Sequence, residues 1–253
     1  MTQTHEGKTA VVTGAAQGIG QAFAVALAER GARVVAVDLA DCDETVQRIE
    51  RLERVEGTNA VAIRADVSDP GAMPRILAAA RAWGGADILV SNAAIQEFVP
   101  FEHMNFAQWR RIMSVNVDAL FHLAQALLPD MRERGWGRIV AMSSNTFHLG
   151  MPGASHYVAS KGAVQGFVRS LAGEVGVDGV TVNAIAPSLT RTPGTSGGPQ
   201  DAQGQFEMAA DRQAIKRTES PADLVGALAF LTSDAAAFVT GQTLLVDGGW
   251  AHA

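Results

Sequence analysis

Cysteine is almost absent from this chain of 253 residues, because Cys42 is its single copy. One cysteine cannot form an intrachain disulfide, so a disulfide-stabilised scaffold is excluded and a reducing compartment is permitted. Cys42 lies in the acidic stretch 41–44, where neighbouring carboxylates oppose formation of a thiolate. We therefore expect Cys42 to be neither a structural crosslink nor a nucleophile.

Clustered positive charge and long apolar runs are also lacking. The formal net charge is −6, and the longest basic cluster, Arg110 and Arg111 beside Trp109, falls in a helical pattern typical of a solvent-facing surface. Nucleic-acid binding would need more concentrated Lys and Arg. No apolar run approaches the roughly 20 residues that span a bilayer, and residues 1–8 lack the apolar core of a signal peptide. These absences predict a cytoplasmic protein without nucleic-acid or membrane partners.

Short apolar segments alternate with amphipathic segments along the whole chain. Strands are predicted at 9–13, 33–38, 60–65, 87–91, 137–143, 180–186 and 242–246, and helices at 18–30, 43–56, 70–83, 106–134, 155–175 and 221–231, with an interruption at Pro129. This alternation predicts βαβ units and a doubly wound parallel sheet with helices on both faces. Without a linker or repeat, residues 1–253 are interpreted as a single α/β domain.

One segment after the sixth predicted strand breaks this rhythm. Residues 188–205 are rich in Gly, Pro and Ser, which indicates either a mobile lid or a plain surface insertion. The segment follows a strand whose end should face a cofactor, so we favour a substrate lid at about residues 188–217.

Three glycines join the first strand to its helix: Gly14, Gly18 and Gly20. Glycine permits a tight turn there and lets backbone amides approach a pyrophosphate, whose negative charge the helix N-terminus favours. Glycines alone are weak evidence, but their place between a strand and a helix indicates a dinucleotide site.

Asp38 ends the second predicted strand, where an acid accepts hydrogen bonds from adenosine ribose hydroxyls and repels a 2′-phosphate. The next residue, Leu39, is not basic, so the pattern favours NAD over NADP. The alternative is that Asp38 only caps a loop. Asp66 and Val67 after the third strand could flank the adenine.

Tyr157, the only tyrosine, and Lys161 lie four residues apart on one face of a predicted helix. A nearby ammonium favours the phenolate and lowers the phenol pKa, which would let the tyrosine act as an acid or a base. Such a pair is common on ordinary amphipathic helices. However, Ser144 follows the fifth strand, where its hydroxyl could orient a substrate oxygen.

Together these residues resemble the short-chain dehydrogenase/reductase family over nearly the whole chain. The resemblance implies a Rossmann-like seven-stranded sheet, a homotetramer and hydride transfer between NAD(H) and a secondary alcohol or ketone. It implies four catalytic residues: Asn116, Ser144, Tyr157 and Lys161. Tyr157 would be the general acid/base, Lys161 would hold the nicotinamide ribose and lower the tyrosine pKa, and Asn116 would hold a water of a proton relay.

The resemblance also implies cofactor contacts and leaves some departures from the family pattern. The expected cofactor residues are Gly14, Gln17, Gly18, Ile19, Gly20, Asp38, Asp66, Val67, Asn92, Ala93, Tyr157, Lys161, Pro187, Thr190 and Thr192. Ser91 stands where the family often has asparagine, and Ala94 and Ser188 stand where it often has glycine. Ser188 restricts the backbone more than glycine does.

The substrate pocket is expected to be largely apolar. Its predicted residues are Ser144, Gln96, Asn145, Phe147, His148, Met151 and Leu189, with Ile95, Phe98, Leu149, Phe206 and Met208 adding apolar lining. Residues 144–147 and 183–192 resemble dehydrogenases of cyclic or aromatic alcohols, which favours a hydrophobic, ring-bearing substrate. His148 could contact the substrate or be an exposed loop residue. The histidines lack metal-ligand spacing, so no metal is expected.

Two other functions remain as alternatives. One is an NADPH-dependent carbonyl or 3-oxoacyl reductase, which Asp38 argues against. The other is a non-catalytic NAD-binding regulatory protein, which should lack part of the catalytic set. For assembly, the helices at 106–134 and 155–175 offer a packing face, and Trp250 in the tail is expected to dock on a neighbouring subunit.

Overall fold

Seven parallel β-strands form one sheet in the computed structural model, which describes residues 4–52, 59–197 and 199–252. The strands are β1 (Thr9–Thr13), β2 (Arg33–Asp38), β3 (Ala60–Arg64), β4 (Ile88–Ser91), β5 (Gly137–Met142), β6 (Val180–Pro187) and β7 (Thr243–Val246). Their order is β3-β2-β1-β4-β5-β6-β7, so the predicted doubly wound sheet is confirmed. The order in which successive strands are added to the sheet reverses between the parallel neighbours β1 and β4, and this switch point opens a crevice at their carboxyl ends.

Helices cover both faces of this sheet. They are α1 (Gly18–Ala28), α2 (Asp43–Glu50), α3 (Met73–Arg81), α4 (Phe106–Met113), α5 (Ala119–Glu133), α6 (Thr146–Leu149), α7 (Ser155–Val175), α8 (Pro199–Ala202), α9 (Gln205–Arg212) and α10 (Pro221–Leu231). The predicted continuation of α2 towards residue 56 falls largely on residues 53–58, outside the described residues.

Two apolar layers hold the helices to the sheet, because successive side chains of a strand point to opposite faces. Val11 of β1 belongs to the layer under α3, α5 and α7, whereas Val12 belongs to the layer under α1, α2 and α10. Both valines are fully buried. The centre of the sheet is therefore buried on both faces, and buried strands place the loops at its carboxyl edge.

The predicted interruption of the fourth helix at Pro129 is wrong. Pro129 lies inside α5, on an exposed position where water can hydrogen-bond the carbonyl that loses its donor. The irregularity instead is a π-helical turn, Ser114–Asp118, between α4 and α5. Turns of this kind often occur at functional sites, and this one carries the buried Asn116.

Among the described residues, only the helical stretch Phe106–Glu133 is long and apolar enough to cross a membrane by length and composition. Leu120, Leu123 and Leu127 of this stretch are buried in the layer between α5 and the sheet. Its apolar face is therefore used in the core of this fold.

Candidate active site

The first part of the site is a groove at the carboxyl ends of β1, β2, β3 and β4. It is lined by Gly14, Gln17, Gly18, Ile19, Asp38, Leu39, Ala65, Asp66, Val67, Asn92, Ala93, Ala94, Ile95, Arg111, Val115 and Thr192. Most of the residues expected to contact a cofactor are thus brought together in one groove. Arg111, which the sequence assigned to a solvated surface, lies at this groove and pairs with Glu97 at 3.0 Å.

The glycine turn is packed too closely to admit a side chain at Gly14 or Gly20. Gly14 has a φ of +66°, and a Cβ on it would lie 2.6 Å from Nδ2 of Asn92. A Cβ on Gly20 would lie 2.0 Å from the carbonyl oxygen of Gly14. The N-cap residue of α1, Gln17, makes no side-chain cap, so the amides of the first turn are left for an anion. This cradle fits the pyrophosphate of a dinucleotide.

Asp38 both caps loops and faces the groove. Its Oδ2 accepts a hydrogen bond from Ala16 N at 3.0 Å, and its Oδ1 accepts one from Ala40 N at 3.0 Å. A carboxylate has further lone pairs, so these bonds still allow it to accept from a ribose hydroxyl. Sequence reasoning missed Arg64 of β3, whose Nε donates to Leu39 O at 3.1 Å and brings a positive charge to this end of the groove.

Asn92 fixes the groove wall against β1. Its amide Nδ2 donates to Thr13 O at 2.9 Å, and its backbone N–H donates to the Thr13 hydroxyl at 3.0 Å. Asp66 is held by its own loop, since its Oδ1 accepts from Ser68 N at 2.9 Å. Both residues therefore hold the backbone that lines the groove.

Tyr157 and Lys161 meet near the other end of the groove, on α7. The Lys161 ammonium lies 5.4 Å from the centroid of the tyrosine ring and donates to Met142 O at 2.8 Å. Burial lowers the pKa of Lys161 to about 8. Burial also raises the pKa of Tyr157 to about 12, against the opposing effect of a hydrogen bond with Ser144. The expected lowering of the tyrosine pKa is thus corrected, because loss of solvent outweighs the other interactions.

Ser144 follows β5 and is oriented by Thr146, a residue that the sequence did not single out. The Oγ of Ser144 accepts hydrogen bonds from Thr146 N at 3.2 Å and from the Thr146 hydroxyl at 2.9 Å. With both lone pairs engaged, the Ser144 hydroxyl is left to donate its proton. A donor fixed beside Tyr157 suits an oxygen that develops negative charge.

Asn116 ties the loop after β4 to α7. Its Oδ1 accepts from Ile95 N at 2.9 Å, and its Nδ2 donates to Ile95 O and to the Ser160 hydroxyl, both at 3.0 Å. Ser160 in turn donates to the carbonyl oxygen of Tyr157 at 2.7 Å. The Asn116 side chain is therefore engaged in positioning the helix that carries Tyr157.

A second cavity adjoins the groove, and Ser144 and Tyr157 line it. Its other lining residues are Ile19, Gln96, Phe98, Asn145, Thr146, Met151, Pro187, Ser188, Leu189, Thr190, Thr192, Thr195, Gln205, Met208, Ala209 and Trp250. This lining includes four further residues that were expected in the substrate pocket: Gln96, Asn145, Met151 and Leu189. None of the lining residues carries a formal charge.

Five residues expected in this cavity lie outside its lining, namely Ile95, Phe147, His148, Leu149 and Phe206. Phe147 packs against Gly162, where a Cβ would be 2.6 Å from the ring, and Nε2 of His148 lies 3.2 Å from Nε2 of Gln165. The short helix α6 turns both side chains away from the cavity that Asn145 faces. Phe206 is fully buried beneath the Arg191 guanidinium, which lies 4.0 Å from its ring centroid.

The loop after β6 is held by two buried polar pairs. Ser188 Oγ donates to Gln213 Oε1 at 3.1 Å, and Thr190 Oγ1 donates to Glu219 Oε2 at 2.8 Å. Burial raises the pKa of Glu219 to about 7, against the opposing effect of the Thr190 hydrogen bond. The hydroxyl of Ser188 thus has a structural use that glycine could not supply.

Glu219→Gln is expected to stabilise the protein at alkaline pH. Because the folded pKa of about 7 lies above the ordinary 4.5, the contribution of Glu219 to stability is lost as pH rises through that interval. At pH 8 the free energy of unfolding should therefore rise by up to about 3 kcal/mol in the variant, with little change at pH 4.5. Denaturant unfolding at both pH values measures this change in the free energy of unfolding, with the exposed Glu207→Gln as the control. A stability difference between Glu219→Gln and the wild type that did not depend on pH would contradict the raised pKa of Glu219.

The described residues contain no group of three or more His, Cys, Asp or Glu side chains that could hold a metal ion. Cys42 is buried, and burial together with the carboxylate of Asp38 raises the pKa of its thiol to about 12. A thiolate is therefore disfavoured at this position at neutral pH, as the acidic stretch indicates.

The comparisons with known proteins agree with this geometry. A family model described as enoyl-(acyl carrier protein) reductase matches residues 14–251. The chain is 39% identical over 252 residues to cis-4-hydroxycyclohexanecarboxylate dehydrogenase of Sinomonas cyclohexanicum, covering 99% of both chains. It is 37% identical over 245 residues to a 3-oxoacyl-[acyl-carrier-protein] reductase of Vibrio cholerae, covering 96% of this chain and 97% of the relative.

Solved structures give the same result. A protein of Sinorhizobium meliloti 1021 described as a short-chain alcohol dehydrogenase superposes with a TM-score of 0.91 at 38% identity, covering 99% of this chain and 98% of that one. A protein of Beutenbergia cavernae described as an NAD(P)-dependent gluconate 5-dehydrogenase, with bound NADP, has a TM-score of 0.89 at 38% identity and covers 99% of each chain. The chain belongs to the short-chain dehydrogenase/reductase family. It is an oxidoreductase that acts on CH–OH groups with a nicotinamide cofactor.

Proposed function

We propose that this protein is an NAD-dependent dehydrogenase of hydrophobic, ring-bearing secondary alcohols. The observation that carries the proposal is the convergence of Ser144, Tyr157 and Lys161 between the glycine-lined groove and the uncharged cavity. We further propose one catalytic domain over residues 1–253, with residues 188–217 as a substrate lid.

Each catalytic side chain then has a defined role. When bound, the nicotinamide accepts a hydride from the alcohol carbon or supplies one to the ketone. Tyr157 takes the hydroxyl proton in oxidation and returns it in reduction. Ser144 donates a hydrogen bond to the same oxygen, and the Lys161 charge favours the phenolate that burial disfavours. Asn116 holds the α7 helix and, in this proposal, a water that connects Lys161 to solvent.

The cofactor would be held by the residues of the groove and the loop after β6. Gln17, Gly18, Ile19 and Gly20 would hold the pyrophosphate at the start of α1. Asp38 would hold the adenosine ribose, with Asp66, Val67, Asn92 and Ala93 along the wall. Pro187, Thr190 and Thr192 would lie at the nicotinamide end, beside Tyr157 and Lys161.

Asp38→Asn is expected to raise the use of NADP relative to NAD. The amide keeps one hydrogen-bond acceptor for Ala16 N or Ala40 N but loses the negative charge that repels a 2′-phosphate. The ratio of kcat/KM for NADP over NAD should rise at least about tenfold, as ~1.4 kcal/mol of lost repulsion would produce. Asp41→Asn, in the same loop, is the matched control, and an equal ratio in both variants would contradict the role of Asp38.

An uncharged cavity supports an uncharged substrate, because burying an unpaired ionic group costs free energy. The relative named cis-4-hydroxycyclohexanecarboxylate dehydrogenase supports the ring of the substrate but not its lack of charge, since the substrate in that name is a carboxylate. The relatives that reduce 3-oxoacyl chains support the second candidate, an NADPH-dependent carbonyl or 3-oxoacyl reductase.

Absorbance at the nicotinamide band, with NAD and then NADP over a panel of secondary alcohols and ketones, tests the function. Reduction of NAD by alicyclic or aryl alcohols is the expected result. Activity with NADP(H) alone, or with acyl thioesters alone, would support the reductase instead. NAD binding without turnover of any member would favour the non-catalytic regulatory protein.

We also propose a cytoplasmic homotetramer without nucleic-acid or membrane partners. The exposed rings of Phe101, Phe106 and Phe121 beside and along α4 and α5 support a subunit contact there. Light scattering should give four times the 26.5 kDa chain mass, and a monomer mass would contradict the assembly.

A further inference from the structure

The carboxyl-terminal tail is held by a single buried carboxylate. Asp247, immediately after β7, accepts hydrogen bonds at Oδ1 from Gly249 N at 3.0 Å and Trp250 N at 3.2 Å. Its Oδ2 accepts from Ala251 N at 2.7 Å. Gly248 and Gly249 have φ of +66° and +77°, so the chain turns sharply around this carboxylate. Chain ends are ordered only when such contacts hold them.

The same carboxylate links the tail to the catalytic loop. Asp247 Oδ2 also accepts from Nδ2 of Asn145 at 3.3 Å, and Asn145 is the neighbour of Ser144. On the opposite side, Gly248 O accepts from Ile215 N at 2.9 Å. The tail is therefore fixed between the loop after β5 and the end of the proposed lid.

This arrangement places Trp250 in the wall of the substrate cavity. The expected contact of Trp250 with a neighbouring subunit stays a prediction. The indole is half-buried and lines the same cavity as Tyr157, Gln205 and Met208. An indole offers a broad, flat and rigid apolar surface, which is well suited to packing against a ring. A small or acyclic alcohol would leave much of that surface uncovered.

We propose that Trp250 is the residue that selects ring-bearing alcohols, and that Asp247 positions it. This inference rests on the proposed function and assigns its substrate preference to the tail. Tyr157 and Ser144 hold the reacting oxygen of any alcohol, whereas Trp250 contacts the body of the substrate. Trp250 is thus a specificity-determining residue, and Asp247 is a positioning residue that acts through it.

The first test is a specificity ratio, kcat/KM for cyclohexanol divided by kcat/KM for 2-butanol. Trp250→Ala should lower this ratio about tenfold, chiefly through a higher KM for cyclohexanol, in line with the contribution of one aromatic contact and the lost apolar area. Trp250→Phe should keep most of the ratio, and Trp83→Phe, on the far side of the molecule from this tail, should leave it unchanged. An unchanged ratio in Trp250→Ala would overturn the proposal.

Asp247→Asn tests the positioning role, because the amide can accept fewer of the tail hydrogen bonds. It should shift the ratio in the same direction as Trp250→Ala while the dissociation constant for NAD stays within about twofold. Thermal unfolding separates this from general misfolding. A loss of activity on both alcohols in equal proportion would overturn the positioning role.

A binding readout distinguishes failure of this inference from failure of the proposed function. Cyclohexanone is titrated into the NAD-loaded protein, and the emission change of the wild type is compared with that of Trp250→Phe. A change seen only when Trp250 is present supports the ring contact even if the wild type oxidises no alcohol in the panel. Oxidation of cyclohexanol without any such change would overturn the ring contact while the function stands, and absence of both would overturn both.

Discussion

Tyr157→Phe is expected to lower turnover of any secondary alcohol by about 10³-fold, since proton transfer by a positioned side chain contributes 10²–10⁴-fold. The variant keeps the ring that packs on α7 and loses only the hydroxyl. The dissociation constant for NAD should stay within about twofold, because the groove is built by β1 to β4 and the start of α1. Steady-state kinetics and cofactor titration measure the two effects separately.

A pH profile of the wild type gives an independent check on the same residue. Because burial raises the pKa of Tyr157 to about 12, the phenolate needed as a base becomes more abundant throughout the neutral and alkaline range. Alcohol oxidation should therefore increase with pH between 6 and 9, and this rise should vanish in Tyr157→Phe. Turnover of the variant within tenfold of the wild type would refute the acid/base assignment.

Gly20→Ala is expected to remove cofactor binding and to lower the free energy of unfolding by about 3 kcal/mol, the upper part of the usual range for overpacking. A Cβ on Gly20 would lie 2.0 Å from Gly14 O and 2.6 Å from Asn92 Nδ2, so the backbone of the turn itself must move. The amides of the first turn of α1 would move with it. Denaturant unfolding and NAD titration are the measurements.

The matched control is Gly226→Ala, on the exposed surface of α10, where a Cβ would meet nothing within 4 Å. Alanine has the higher helix propensity, so this variant should be unchanged or more stable by up to about 1 kcal/mol. If both variants bound NAD and unfolded alike, the close packing of the glycine turn would not explain cofactor binding.

The strands and the longest helices could be predicted because their signals are local. β2 and α7 have the predicted bounds, since a short buried strand requires a continuous apolar run and a long helix requires sustained periodicity. The π-helical turn Ser114–Asp118 could not be predicted, because no residue type marks it. The turn carries Asn116, whose side chain is hydrogen-bonded to Ile95, 21 residues earlier in the chain.

The place of the site could be predicted, because the carboxyl ends of parallel strands meet at one edge of the sheet. Side-chain directions in the connecting segments were less predictable. Phe147 and His148 lie two and three residues after Asn145, but the single turn of α6 directs both side chains away from the cavity that Asn145 lines. Trp250 could not be assigned because its position depends on Asp247, which binds not only the neighbouring tail amides but also Asn145, 102 residues earlier in the chain.

The pKa of Tyr157 shows a further limit of reasoning from sequence. The spacing to Lys161 indicates proximity, and proximity to a cation lowers a phenol pKa. The degree of burial is a property of the assembled fold, however, and it dominates here. The ammonium is directed at Met142 O, which the spacing of four residues could not show.

The position of Trp250 in the wall of the cavity has a practical consequence for handling the protein. A fusion peptide added after residue 253 would start four positions beyond Trp250, which lines the substrate cavity. His5, near the amino end of the described residues, lies at the amino edge of the sheet, where its N–H donates to Arg30 O at 3.0 Å and its Nε2 lies 2.8 Å from Thr232 Oγ1. Affinity handles, surface immobilisation and reporter fusions therefore belong at the amino end, away from the cavity that Trp250 lines.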